Sequence, residues 1–228
     1  MTIIYTLSTD ALEDRELFRE KALLVSKERN ETIGRLRFDR DKRLSLGAGL
    51  LLRQALSEAG LEYSALTFCK GEYGKPYIKN HPELHYNLSH SENRVICALS
   101  DKETGCDIEK IAGGHPGVAE RFFASEECRY INEIPGEENI RFYRLWTMKE
   151  SFIKNLGKGL AAPLNSFCVP LENNNTIEFN GEKYTFFTPE IDGSYCCAVC
   201  IRGISAETPG IITVNLTSEN EQTEDNYG

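Results

Sequence analysis

Asp107 and Glu109 stand one residue apart in Thr104-Gly105-Cys106-Asp107-Ile108-Glu109-Lys110. On a β-strand this spacing puts both carboxylates on one face and Cys106 and Ile108 on the other. Two like charges that close raise each other's pKa unless a cation sits between them or water screens them. On a buried face the pair would point to a metal site, and on a solvated edge strand it is surface charge. Glu150 and Lys154 form a carboxylate-ammonium pair one helical turn apart, a spacing whose ordinary effect is helix stabilisation. Lys149 falls in the middle of the apolar stripe made by Phe142, Leu145, Trp146, Phe152, Ile153 and Leu156, so its ammonium must snorkel or meet a partner. Taken together, three carboxylates and a cation suit Mg²⁺ with a pyrophosphate, since Mg²⁺ needs one or two protein carboxylates and fills its octahedron with water and phosphate oxygens. Arg43, Lys75 in Tyr73-Gly74-Lys75-Pro76, and His90 after Asn87-Leu88-Ser89 are basic groups for the remaining phosphates. Each alone is ordinary: a solvated Arg or Lys, a structural His.

Several elements must position these groups. Residues 11–38 and 41–59 carry apolar positions at helical spacing, the second run through Leu44, Leu51, Leu52, Ala55 and Leu56. Residues 84–88 and 94–99 read as strands around the polar connection Ser89-His90-Ser91-Glu92-Asn93, and residues 104–111 as another. After the break Gly113-Gly114-His115-Pro116-Gly117, helices are predicted over 118–131 and 141–156, the latter ending at Gly157 and Gly159. Strands are predicted over 166–171, 176–179, 183–187 and 194–201. Two successive helix-then-strand sets predict an α+β protein with an N-terminal subdomain over 1–103, a C-terminal subdomain over 104–210 and a partly disordered tail over 211–228.

The 228 residues are 40% hydrophobic and 27% charged, the composition of a soluble globular protein. Asp+Glu number 35 against 26 Lys+Arg, a net charge of -9 that argues against a general nucleic-acid binder. No run approaches the roughly 20 apolar residues of a membrane span, and no basic leader precedes an apolar one. The eight cysteines form no disulfide framework and read as buried reduced thiols, which points to the cytoplasm. Cys196-Cys197-Ala198-Val199-Cys200 has no nearby histidine and fails the usual zinc spacings.

The ordered series Gly74-Lys75-Pro76, Asn87-Leu88-Ser89-His90-Ser91, Gly105-Cys106-Asp107-Ile108-Glu109, Trp146-Thr147-Met148-Lys149-Glu150-Ser151-Phe152-Ile153-Lys154 and Gly157-Lys158-Gly159-Leu160 resembles the Sfp-type 4'-phosphopantetheinyl transferases. The upstream helix with Arg43 and Gly47 agrees, and the likeness covers about residues 1 to 205. It implies two α+β halves related by a pseudo-twofold, with coenzyme A in the cleft between them. It also implies transfer of the 4'-phosphopantetheine arm to a serine of an apo acyl or peptidyl carrier protein, with release of adenosine 3',5'-bisphosphate. By position, Asp107, Glu109 and Glu150 resemble the Mg²⁺ carboxylates, and Glu150 also the base for the incoming serine. Lys154 resembles the lysine on the attacked phosphate, Arg43 and His90 the holders of the 3'-phosphate, and Lys75, Pro76 and Ser89 the adenine and ribose side. A cytoplasmic monomer without membrane or nucleic-acid partners is expected. The sequence departs from the family pattern at two places: Asn30, Glu31 and Thr32 follow Glu28-Arg29 where basic residues are common, and Cys106 replaces a small or β-branched residue. A non-catalytic coenzyme A or carrier-binding module and a Mg²⁺-dependent nucleotide pyrophosphate hydrolase are the alternatives.

Overall fold

The computed structural model describes residues 1–113, 117–157, 163–171 and 175–216, and in it the chain runs twice through one connectivity. A strand leads into helices, and a hairpin follows whose last strand returns to pair with the first. The first pass is β1 (Thr2–Ser8), α1 (Arg15–Ala22), α2 (Lys27–Arg35), α3 (Asp39–Glu58), the small pair β2 (Phe68–Lys70) and β3 (Pro76–Ile78), then β4 (His85–Ser91) and β5 (Arg94–Ser100). The second is β6 (Thr104–Lys110), α4 (Val118–Phe122), α5 (Ser125–Asn132), α6 (Glu138–Leu156), β7 (Thr176–Phe179), β8 (Glu182–Phe187) and β9 (Tyr195–Arg202). The last strand, β10 (Gly210–Thr213), returns to the first lobe. The sheets are ordered β10-β1-β5-β4 and β6-β9-β8-β7, so β4 and β6 are edge strands. This is the α+β fold the sequence predicts.

Strand alternation sets which residues face which layer. Val95, Cys97 and Leu99 of β5 pack with Leu44, Ala48, Leu51, Leu52, Ala55 and Leu56 of α3. Ile96 and Ala98, on the opposite face, join Ile4, Cys106, Ile108, Cys197, Val199 and Ile201 in an apolar layer between the lobes. Phe142, Leu145, Phe152 and Ile153 of α6 pack on Ala198, Cys200, Tyr184 and Phe186. A Cβ at Gly105 would run into the α6 backbone at Ser151 O and Asn155 N, so glycine here lets helix and strand touch.

Several boundaries differ from the sequence reading, each for a local reason. The helical run expected over 11–38 is a 3-10 turn followed by α1 and α2, because Asp14 and Ser26 act as N-caps, accepting from Leu17 N at 2.9 Å and Arg29 N at 3.2 Å. The helix expected over 118–131 breaks at Phe123 and Ala124, both extended, where the Glu127 carboxylate reaches back to Ala124 N at 2.9 Å. Residues 166–171 are no strand: the Phe167 carbonyl and Val169 amide bond to Lys149 and Glu127 instead of to a sheet. The polar connection after Leu88 is shorter than expected, since β4 continues to Ser91 and the chain turns at Glu92-Asn93 with Glu92 at φ 52°. The sequence pattern predicts none of β1, β2, β3 and β10. Gly210-Ile211-Ile212-Thr213, expected at the end of one subdomain and the start of a tail, pairs in parallel with Ile3 to Thr6 of β1, and Ile212 packs on the first core. Residues 217–228 and Gly159 lie outside the described residues. All eight cysteines are free, but only Cys97, Cys106, Cys197 and Cys200 are buried, while Cys168 is exposed.

Candidate active site

The two sheets meet along β4 and β6, where side chains of β4 take the place of a backbone ladder. Asn87 Oδ1 accepts from Cys106 N at 2.9 Å, and Ser91 Oγ accepts from Lys110 N at 3.1 Å. Ser89 Oγ donates to Asp107 Oδ1 at 2.7 Å and Ser91 Oγ to Glu109 Oε2 at 2.8 Å. A two-residue period thus sets Asn87, Ser89 and Ser91 against the carboxylate-bearing strand. Asp107 and Glu109 face α6, opposite the Cys106 and Ile108 layer, as their spacing predicts.

α6 supplies the other half. Lys154 Nζ lies 2.7 Å from Asp107 Oδ1, 3.0 Å from Ser89 Oγ and 3.2 Å from the Cys106 carbonyl. Its ammonium is therefore fixed over β4 and β6, not held to Glu150 as the helical spacing alone implies. Glu150 stands one turn earlier beside the same cleft, whose volume is about 570 Å³. Leu88, Ser89, His90, Asp107, Glu109, Glu150 and Lys154 line it, and Phe122, Trp146 and Leu164 give it an apolar wall.

Burial governs the charges. Desolvation pushes the carboxyl of Asp107 up, against the opposing pull of Lys154 and Ser89. Desolvation also raises Glu109, and the charges of Asp107 and Glu150 add to the rise. Glu150 rises first through desolvation and then through Asp107. For Lys154 desolvation works downward, but the charge and hydrogen bond of Asp107, with Cys106 and Glu150, together outweigh it and hold the ammonium above the ordinary lysine value. His90 is driven below the ordinary histidine value by desolvation and by the Lys154 charge.

Among the described residues, no three His, Cys, Asp or Glu side chains are gathered tightly enough to enclose a metal unaided. The donor chemistry still fits Mg²⁺, which takes few protein ligands and completes its shell with water and phosphate. Asp107 Oδ2 is buried without a hydrogen-bond partner, an acceptor left open beside two further carboxylates of raised pKa.

The other candidates sit elsewhere. Arg43, on α3, pairs with Glu13 Oε1 at 3.2 Å and is not among the cleft's lining residues. Lys75 turns its ammonium to Asn155 O at 2.7 Å, and Pro76 opens β3 opposite Lys70. Lys149 meets a partner: it is fully buried, 2.8 Å from the equally buried Glu127, and donates to Leu164 O and Phe167 O, each at 2.7 Å. Burial pulls its pKa down while Glu127 opposes. This pair ties α5 and the segment bearing Leu164 to α6, directly behind Glu150.

Two family models match adjoining parts of the chain: "4'-phosphopantetheinyl transferase, N-terminal" over residues 14–102 and the 4'-phosphopantetheinyl transferase superfamily over residues 103–200. A 4'-phosphopantetheinyl transferase of Bacillus subtilis is 39% identical over 182 residues, 77% of this chain and 81% of the relative. The chain belongs to the 4'-phosphopantetheinyl transferase family. Sfp of Bacillus subtilis strain 168 is 37% identical over 194 residues, 82% of this chain and 85% of the relative. The transferase gsp of Aneurinibacillus migulanus is 34% identical over 192 residues, covering 82% and 80%. Within this transferase, sequence reasoning missed Ser91, Asn87 and Glu127. Reading residues 87–91 as strand would have put Asn87 and Ser91 on the face of Ser89; no spacing signal connects Glu127 to Lys149.

Proposed function

We propose that this transferase moves the 4'-phosphopantetheine arm from coenzyme A to a serine of an apo acyl or peptidyl carrier protein and releases adenosine 3',5'-bisphosphate. The observation that carries the reading is the cleft itself: three carboxylates of raised pKa and a fixed lysine, all from the second lobe, are gathered at its seam with Ser89 and His90 of the first. Asp107, Glu109 and Glu150 would hold Mg²⁺, which when bound supplies charge neutralisation for the coenzyme's pyrophosphate.

The chain's own residues divide the remaining work. Lys154, oriented by Asp107 and Ser89, holds the phosphate that the serine attacks. Glu150, whose carboxylate is made more basic by burial, accepts the proton of the serine hydroxyl at a carboxylate oxygen as the new P–O bond forms. The bond from phosphorus to the adenosine bisphosphate oxygen breaks in the same displacement. His90 at the cleft edge carries a donor toward the 3'-phosphate, and Arg43 joins it by exchanging Glu13 for phosphate. Phe122, Trp146 and Leu164 keep water from competing with the serine. In-line transfer of this kind is governed by positioning and charge neutralisation. Both lobes of the cleft come from one chain, consistent with a functional monomer.

The test follows the nucleotide product with coenzyme A and Mg²⁺, with and without an apo carrier. Adenosine 3',5'-bisphosphate appearing only with the carrier, and suppressed by EDTA, is the expected result. Release without any carrier would mark a pyrophosphate hydrolase, and coenzyme A binding without release a non-catalytic module.

A further inference from the structure

α6 is also held just outside the cleft. The last carbonyls of a helix have no partner within it. Here Gly157, at φ 63°, ends α6 with its N–H bonded to Ile153 O at 3.1 Å. The Asn155 carbonyl is taken by Lys75 Nζ at 2.7 Å, a donor from the other lobe. The lysine stem lies over Gly157, where an added Cβ would come 3.0 Å from Lys75 Cδ. Desolvation of the ammonium lowers its pKa, as expected for a group withdrawn from water. The side chain of Asn155 fixes the same residue again, donating to Glu103 O at 2.8 Å, in the link between the lobes, and to Cys200 O of β9 in the second lobe at 2.9 Å. Asn155 directly follows Lys154, so the backbone beside the cleft lysine is gripped from both lobes.

We propose that Lys75 is a positioning residue: its ammonium caps the C-terminus of α6 across the lobe boundary and sets where Lys154 and Glu150 stand against Ser89 and Asp107. A cation at a helix C-terminus is favoured by the partial negative charge of the free carbonyls. Without it the last turn loosens next to Lys154, and a displacement of about 1 Å at a phosphoryl-transfer site costs on the order of a hundredfold in rate. The proposal rests on the transferase reading above, but it assigns the Lys75 ammonium to α6, not to coenzyme A. The two assignments separate in kinetics.

The experiment compares full-length wild type, Lys75→Met and Lys75→Arg. It reads kcat, the KM for coenzyme A with carrier in excess, and amide hydrogen exchange over residues 150–157 without coenzyme A. Lys75→Met keeps the stem and removes the charge. It should lower kcat by about 10- to 100-fold, leave the KM for coenzyme A within about twofold, and speed exchange over the end of α6. Lys75→Arg should restore most of both effects. A large rise in KM with kcat and exchange unchanged would make Lys75 a coenzyme contact and overturn the proposal. Faster exchange with unchanged kcat would reduce the cap to a structural feature, and no change in any readout would leave it without a role. If the wild type transfers nothing, the proposed function fails, while the exchange data still decide whether Lys75 caps α6.

Discussion

Glu150 carries two consequences that pull in opposite directions. Burial and the neighbouring Asp107 hold its folded-state pKa above the ordinary 4.5. The native state therefore binds this proton more tightly than the unfolded chain, and stability falls as pH rises through the window between the two values, with the full penalty present above it. Glu150→Gln should remove that penalty, raising the melting temperature of the metal-free protein by roughly 2–4 °C while lowering transfer by more than about a hundredfold. A variant that melts lower at neutral pH, or transfers normally, contradicts the assignment. The same shifts bear on metal binding: Mg²⁺ takes the ionised carboxylates, so its affinity should climb with pH through the range, above the ordinary 4.5, in which Glu109 and Glu150 of the metal-free protein lose their protons. A Mg²⁺ affinity that is flat in pH from 4.5 upward, read by calorimetric titration, would contradict the raised values. Asp107→Ala should also abolish transfer, and it strips Lys154 of its main acceptor.

At the scale of elements, α6 is held to its lobe by contacts that tolerate little change. Lys149→Met leaves Glu127 buried without its cation, a loss of about 3–5 kcal/mol. The double variant Glu127→Gln/Lys149→Met should recover part of that loss in urea unfolding; strictly additive losses would show that the two side chains do not act as a pair. Gly105→Ala should destabilise by more than about 3 kcal/mol, since the methyl meets backbone and not a movable side chain. These elements were unevenly legible. The α6 stripe and the β6 alternation could be read because burial on one face imposes a period. Residues 166–171 could not, because their hydrogen bonds go to Glu127 and Lys149, partners distant in sequence. β1 and β10 escaped because a short apolar run carries little period of its own.

For the whole molecule, the sequence disclosed the cleft's chemistry more fully than its assembly. Asp107, Glu109, Glu150 and Lys154 were identifiable from spacing and resemblance, and they line one cleft. Arg43 and Lys75 show the limit: a basic residue's type does not reveal which neighbour claims it, and here Glu13 and the end of α6 do. The return of β10 to β1 could not be foreseen either, since parallel pairing across some two hundred residues leaves no local mark. Mg²⁺ added without coenzyme A should raise the melting temperature of the wild type and not that of Glu150→Gln; equal shifts would place the ion elsewhere. The most direct measurement is the intact mass of an apo carrier protein after incubation with coenzyme A, Mg²⁺ and either wild type or Glu150→Gln. The account predicts a gain of one phosphopantetheine arm with the wild type, none with the variant and none with EDTA. A carrier left unmodified by a wild type that binds coenzyme A, or modified equally by the variant, would contradict it.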